Sequence, residues 1–330
     1  MALLEIRDLN VTYQMKDRRI AAVEHVSLNI EEKRPLGIVG ESGSGKSTLA
    51  MAVLRMLPQG TAVEGEVKLN GKNLLSMKEE ELQKVRWKEM SVVFQKSMNI
   101  LSPVHKIGRQ LTDMYAVHEP QASKREIQDR MLELLELVNL PGRVLKSYPH
   151  ELSGGQLQRV SIAASLMHNP PLVILDEATT ALDVITQGQI IEEIRKLRDV
   201  MNVTWMLITH DISVVSSCCD QIAVMYAGRL MEYGTVSQVI HRPSHPYTQG
   251  LLRSFPSLHG EKSGLKGMPG GMPDLSAKPQ GCVFAGRCRW ATEKCGMVGF
   301  EMNKVEAGHL TACPFWENTL ADGGDDHGVS

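Results

Sequence analysis

The sequence predicts an α/β protein with a largely parallel central sheet and a helical block inserted between the two halves of that core. Three observations carry this. Leu36-Gly37-Ile38-Val39 is a short apolar run entering a glycine-rich loop, and Leu49 to Leu57 then read as a helix until Pro58 and Gly60 stop it. Leu172-Val173-Ile174-Leu175 and Thr204-Trp205-Met206-Leu207-Ile208 are two more apolar runs, separated by a helix with Ile190, Ile194 and Leu197 on one face. That is a βαβ unit, whose crossover makes its strands parallel. From about 96 to 165 helical patterning dominates, clearest at Met131, Leu134, Leu135 and Val138, and strands are hard to find.

The remaining segments fall around this core. Leu4, Ile6, Leu9, Val11 and Tyr13, then Val23, Val26, Leu28 and Ile30, alternate with polar residues, which predicts an N-terminal antiparallel β subdomain with one covered face. Near residue 241 the texture changes to a loop-rich extension, richest in Gly and Pro from Gly264 to Pro279. The tail from Ala321 is acidic and glycine-rich and is expected to be disordered.

At 330 residues, 42% hydrophobic and 22% charged, the chain has the makeup of a globular protein with one large domain and a smaller appendage. A net charge of −2 lacks the basic excess of a nucleic-acid binder, so no nucleic-acid partner is expected. No apolar run approaches the ~18–20 residues of a membrane-spanning helix. The start, Met1 to Ile6, lacks the layout of a signal peptide. The expectation is a cytosolic chain linked to a membrane only through a partner. In a reducing cytosol, the late cluster of Cys282, Cys288, Cys295 and Cys313 reads first as a metal site, while Cys218 and Cys219 read as core packing.

Gly40-Glu41-Ser42-Gly43-Ser44-Gly45-Lys46-Ser47, with Thr48 following, is a phosphate-binding loop in the required strand–loop–helix setting. Backbone N–H groups approach phosphate oxygens closely only where side chains are absent, and the helix start adds its positive end. Lys46 would reach the β and γ phosphates, and the Ser47 hydroxyl would ligate Mg²⁺. This predicts a P-loop NTPase core, expected to be of RecA-like type. Asp176-Glu177 ends a buried strand at the edge where ligands sit in open α/β sheets. Asp176 would hold Mg²⁺, and Glu177 would orient the attacking water or take its proton. Alone, two turn acids explain the pair equally well; beside the phosphate loop the catalytic reading dominates. Ser153 and Gln156 form a capping-box pair before the stripe Leu157, Val160, Ala164 and Met167. Gly154 and Gly155 leave that helix start bare, which suits an anion, although an ordinary cap with glycines accounts for the local chemistry too.

Tyr13, the phosphate loop, Gln95, Leu152 to Gln156, Asp176-Glu177, Ala181-Leu182-Asp183 and His210 occur in the order found in ABC transporter ATP-binding subunits. They resemble that family's adenine-stacking aromatic, Walker A, Q-loop, signature, Walker B, D-loop and switch histidine. The resemblance spans residues 13 to 210. It implies a dimer in which Ser153, Gly154, Gly155 and Gln156 of one subunit close over ATP held by the other. It also implies that Gln95 senses Mg²⁺ and the transmembrane partner, that His210 contacts the γ phosphate, and that Asp183 belongs to the nucleotide site. Two departures from the pattern are Ser102-Pro103, where Asn-Pro is familiar, and Ala178, where proline commonly follows the glutamate.

The extension narrows the group. His245-Pro246-Tyr247-Thr248, Leu251-Leu252, Gly281-Cys282-Val283-Phe284 and Arg287-Cys288 resemble the oligopeptide and dipeptide importer ATPases. In that group the four cysteines resemble ligands of a [4Fe–4S] cluster. Here five, six and seventeen residues separate successive cysteines, unlike the tight Cys-x-x-Cys of many zinc sites. Zinc is the alternative, and four buried free thiols the plainer one.

The resulting expectation is an ABC nucleotide-binding domain over 1–240, with its helical subdomain at 96–165, and the cysteine-bearing extension over 241–330. The resemblance implies the ATP-hydrolysing subunit of a di- or oligopeptide importer. It would sit on the cytoplasmic face of the membrane with two permease subunits, a second, non-identical ATP-binding subunit and an extracytoplasmic binding protein. Nickel or oligosaccharide import remains open, as does a soluble ABC ATPase. The latter would typically carry two cassettes or a long coiled-coil insertion. A small-molecule P-loop kinase would lack the Leu-Ser-Gly-Gly-Gln element.

Overall fold

Apolar patterning sets the core elements, while their ends are decided by backbone geometry. The computed structural model describes residues 2–94, 101–178, 182–254, 268–277 and 280–321. The chain opens with β1 (Ala2–Gln14), β2 (Arg19–Glu31), β3 (Leu36–Val39), α1 (Lys46–Val53), β4 (Ala62–Leu69), β5 (Lys72–Asn73), α2 (Glu79–Val85) and β6 (Met90–Val93). Helices α3 (Ile107–His118), α4 (Lys124–Leu137) and α5 (Gly154–Ser165) follow. Then come β7 (Leu172–Asp176), α6 (Val184–Met201), β8 (Thr204–Thr209), α7 (Ile212–Cys218), β9 (Gln221–Tyr226) and β10 (Arg229–Thr235). The last elements are α8 (Val236–His241), α9 (Pro246–Arg253), β11 (Asn303–Glu306), β12 (His309–Thr311) and α10 (Trp316–Ala321).

The chain divides into two units, both discontinuous in sequence. One comprises Met1–Leu4, Ile30–Pro35 and Leu69–Ile208. Its sheet order β6–β7–β8 is parallel throughout, with Val93 opposite Leu175 and Asp176 opposite Ile208. Every residue of β7 and β8 is buried, as expected of strands covered on both faces, so the βαβ prediction holds. Helix α6 buries Ile190, Ile194 and Leu197 as predicted, and Glu193 besides. That carboxylate is compensated by Arg159 Nε at 2.9 Å and 3.0 Å and by Asn139 Nδ2 at 3.1 Å, which ties α5 to α6. Between 101 and 165 the described residues form helices and turns and no strand.

The other unit comprises Glu5–Asn29, Leu36–Lys68 and Thr209–Ser330. Here β2, β1 and β4 lie side by side. Strand β3 pairs in parallel with β9, and β9, β10, β12 and β11 continue antiparallel. Two boundaries depart from prediction. Helix α1 ends at Val53, not Leu57, because Arg55 takes a left-handed φ of 51° that breaks the helical run before Pro58. The extension, expected to be loop-rich, contributes β11 and β12 to the sheet edge; both are too short to show alternation. Cys218 and Cys219 are buried, as core packing requires. The tail expected to be disordered starts at Ala321, which instead closes α10; 322–330 lie outside the described residues, as do 264–267 and 278–279 of the Gly/Pro-rich stretch.

One carboxylate organises the extension. Glu232, fully buried on β10, accepts from Ser244 N (2.8 Å), Ser244 Oγ (2.9 Å), His245 N (2.9 Å) and His309 Nε2 (2.7 Å). His245 then caps α9, its Nδ1 accepting from Tyr247 N at 3.0 Å, and Pro246 occupies the first helical position, where no N–H is needed. The His-Pro-Tyr stretch is thus a helix start with an anchored cap.

Candidate functional site

In the second unit, β3 delivers the phosphate loop to the start of α1. Gly45 has a φ of 97°, and a Cβ there would collide with the carbonyl oxygen of Ala22, so no other residue fits. Lys46 is buried, with Nζ donating to Gly40 O (2.8 Å), Glu41 O (2.9 Å) and Ser44 Oγ (3.2 Å). A buried ammonium held within the loop by two carbonyl oxygens and a hydroxyl is placed to meet phosphate oxygens. Ser42, Gly43 and Ser47 are exposed on the loop, while Ser44 is buried and its carbonyl accepts from Gly228 N at 3.0 Å. Tyr13 Oη lies 3.2 Å from Thr48 Oγ1, which fixes its ring beside α1. His210 is exposed just after β8.

In the first unit, Asp176 is buried at the end of β7. Glu177 follows with a φ of 47°, held by its N–H donating to Ile208 O at 2.8 Å. Left-handed backbone at a glutamate is costly and persists where the surroundings impose it, a recurrent feature of functional positions. Ser153 caps α5 as predicted: Gln156 N donates to Ser153 Oγ at 3.3 Å, and Ser153 N to Gln156 Oε1 at 3.0 Å. A Cβ on Gly155 would come within 2.6 Å of Thr186 Cγ2, so packing against α6 also demands that glycine. Asp183, expected in the nucleotide site, caps α6: Oδ1 accepts from Thr186 N (3.0 Å) and Oδ2 from Thr186 Oγ1 (2.7 Å). These bonds hold its carboxyl below the usual range. Gln95 and Ala181 lie outside the described residues.

The extension brings Cys282, Cys288, Cys295 and Cys313 to the lining of one small pocket, walled by Phe284 and Trp290 among others. Burial pushes the thiols of Cys282 and Cys288 upward and that of Cys313 to about 11. The four do not make a tight ligand set. Among the described residues no three His, Cys, Asp or Glu side chains are grouped closely enough to hold a metal ion.

Sequence reasoning missed Arg287 and Tyr247 as partners of the phosphate loop. Arg287 Nη1 donates to Glu41 Oε2 at 3.0 Å, and Glu41 N donates to Tyr247 Oη at 3.0 Å. Both had entered only as family marks. Their only further signal is a glutamate inside a loop built for anions.

A phosphate loop of this geometry between a parallel strand and its helix defines a P-loop nucleotide-binding protein. Residues 23–180 match the ABC transporter family, and residues 231–295 match the oligopeptide/dipeptide transporter C-terminal region. The chain is 42% identical over 316 residues to a probable peptide ABC transporter ATP-binding protein of Sinorhizobium fredii, covering 94% of each. It is 40% identical over 314 residues to the oligopeptide transport ATP-binding protein OppD of Escherichia coli, covering 94% of this chain and 93% of that one. A bacterial ABC transporter cassette solved as a dimer superposes with a TM-score of 0.63 at 32% identity, over 71% of this chain and 98% of that one. The chain belongs to the ABC transporter ATP-binding proteins, in the group bearing the oligopeptide/dipeptide transporter C-terminal region.

Proposed function

We propose that this chain is the ATP-hydrolysing subunit of an importer of di- and oligopeptides. The observation that carries the reading is one polypeptide holding both an intact phosphate loop with buried Lys46 and the peptide-transporter C-terminal region. The relatives named for peptide and for oligopeptide transport align over nearly its whole length. Lys46 would neutralise the β and γ phosphates, and Ser47, Asp176 and Gln95 are the residues that would hold Mg²⁺, which when bound would spread the charge of the transferred group. Glu177 orients the attacking water or takes its proton, and His210 contacts the γ phosphate. Tyr13 stacks on adenine, and Thr48 supports it. Ser153 to Gln156 present the start of α5 to ATP held by a second ATP-binding subunit, with Asp183 at the same interface. Closure and reopening of that dimer drive two permease subunits on the cytoplasmic face, supplied by an extracytoplasmic binding protein. In this reading the nucleotide-binding domain covers residues 1–240 and the extension 241–330.

The test is reconstitution with cognate permeases and the second ATPase in vesicles carrying the binding protein. Labelled oligopeptide should accumulate only with ATP. Uptake of nickel or an oligosaccharide in its place would reassign the cargo.

We also propose that Cys282, Cys288, Cys295 and Cys313 hold a [4Fe–4S] cluster. Support comes from four thiols lining one pocket with the apolar walls of Phe284 and Trp290, and from the resemblance of the extension to a group whose four cysteines resemble ligands of such a cluster. When bound it would supply a covalent staple to the extension and draw the thiols into their thiolate form. Anaerobically purified protein should contain iron and acid-labile sulfide near four each per chain. Stoichiometric zinc without iron would refute it.

A further inference from the structure

We propose that Arg287 is a positioning residue for the phosphate loop, through which the cysteine-bearing extension sets the affinity for ATP. The inference rests on the phosphate loop holding ATP and is independent of what the cysteines bind.

Beyond its own turn bond, in which its carbonyl accepts from Ser44 N at 3.2 Å, Glu41, the second residue of the loop, is gripped at three points. Its carbonyl accepts from Lys46 Nζ at 2.9 Å, its N–H donates to Tyr247 Oη at 3.0 Å, and its carboxylate Oε2 accepts from Arg287 Nη1 at 3.0 Å. The first contact belongs to the loop itself; the other two come from the extension. When Lys46 turns to phosphate, the Ser44 turn bond remains within the loop, and Tyr247 and Arg287 are the holds from outside it. Tyr247 is fully buried, and the Arg287 side chain is only 8% exposed against 29% for Glu41. The guanidinium is itself fixed: Nε donates to Pro269 O at 2.8 Å, Nη1 to Tyr226 Oη at 3.2 Å, and its Cζ lies 5.5 Å from the Tyr226 ring centre. It sits beside Cys288, whose N–H donates to Ala285 O at 3.2 Å, so the cysteine loop sets where this cation stands.

The charge arrangement gives the contact a function beyond fastening. A carboxylate within an anion-binding loop opposes the triphosphate, and Glu41 Oε1 is buried with no partner among the described residues. Arg287 is the cation that offsets it. Removing Arg287 would leave a semi-buried negative charge beside incoming phosphate and free the loop's second residue to move.

The experiment is a double-mutant cycle on the full chain, reading KM for ATP and kcat by phosphate release. Arg287→Ala should raise KM about tenfold and leave kcat within about twofold. In a Glu41→Gln background, where no charge needs offsetting, the same substitution should shift KM by less than about twofold. Arg287→Lys, which keeps the charge and spares the fold if the alanine variant melts early, should raise KM by less than about threefold. An unchanged KM in Arg287→Ala, or an equal rise in both backgrounds, overturns the proposal: the second result would mean that Arg287 only holds the extension in place. Failure of the unsubstituted chain to bind ATP would instead remove the reading beneath it.

Discussion

Glu177→Gln is expected to lower steady-state ATP hydrolysis by at least about 100-fold while leaving ATP binding within about threefold of the parent. The substitution is nearly isosteric. It therefore tests the carboxylate and not the backbone, which holds φ at 47° through the Ile208 carbonyl. A glutamine can still hydrogen-bond to water but cannot accept its proton as the attack on phosphorus proceeds. With hydrolysis blocked and the phosphate loop intact, ATP should hold two ATP-binding subunits together, visible as an ATP-dependent dimer by light scattering. Glu177→Gly separates strain from chemistry: glycine accepts this φ freely, so the fold should persist while activity is lost. Hydrolysis at the parental rate in Glu177→Gln would remove Glu177 from the reaction.

How much of this was readable without coordinates depended on how far apart interacting residues lie. The Ser153–Gln156 capping box was legible because both partners sit within one helical turn. Strands β7 and β8 were legible because burial on both faces leaves an unbroken apolar run. The phosphate loop announces itself through eight consecutive residues. By contrast, the clamp on that loop joins Arg287 to Glu41 across 246 positions. Nothing local to either marks the other. Strands β11 and β12 exist because β10 offers an edge, a non-local cause that strands of four and three residues cannot encode by alternation. The end of α1 was misplaced for a different reason: apolar residues continue to Leu57 in a helix-compatible order, but Arg55 leaves the helical region. The cysteine count drew the eye to a metal site, and the fold did bring all four thiols to one pocket, yet count and spacing carry no information on how widely they stand apart.

The largest stability effect is expected at Glu232. Its carboxylate, carried by β10, is fully buried and serves four donors on two other chain segments: Ser244 and His245 lie at the start of α9, and His309 opens β12. Because an ionised carboxylate only accepts, His309 must present Nε2 as N–H, and the four contacts share one negative charge. Glu232→Ala would strand two backbone N–H groups, a hydroxyl and an imidazole in a space closed to water. Losing one member of such a buried set costs about 3–5 kcal/mol, against about 1–3 kcal/mol for Glu232→Gln, which keeps an oxygen but turns an N–H₂ group toward donors. Urea unfolding followed by intrinsic fluorescence should therefore rank the parent above Glu232→Gln and Glu232→Ala last. The consequence for function follows from position: His245 caps α9, and α9 carries Tyr247 to the N–H of Glu41. At urea concentrations where the alanine variant is still folded, its KM for ATP should already be raised. An alanine variant as stable as the parent would show that water reaches this cluster and that the extension is held elsewhere.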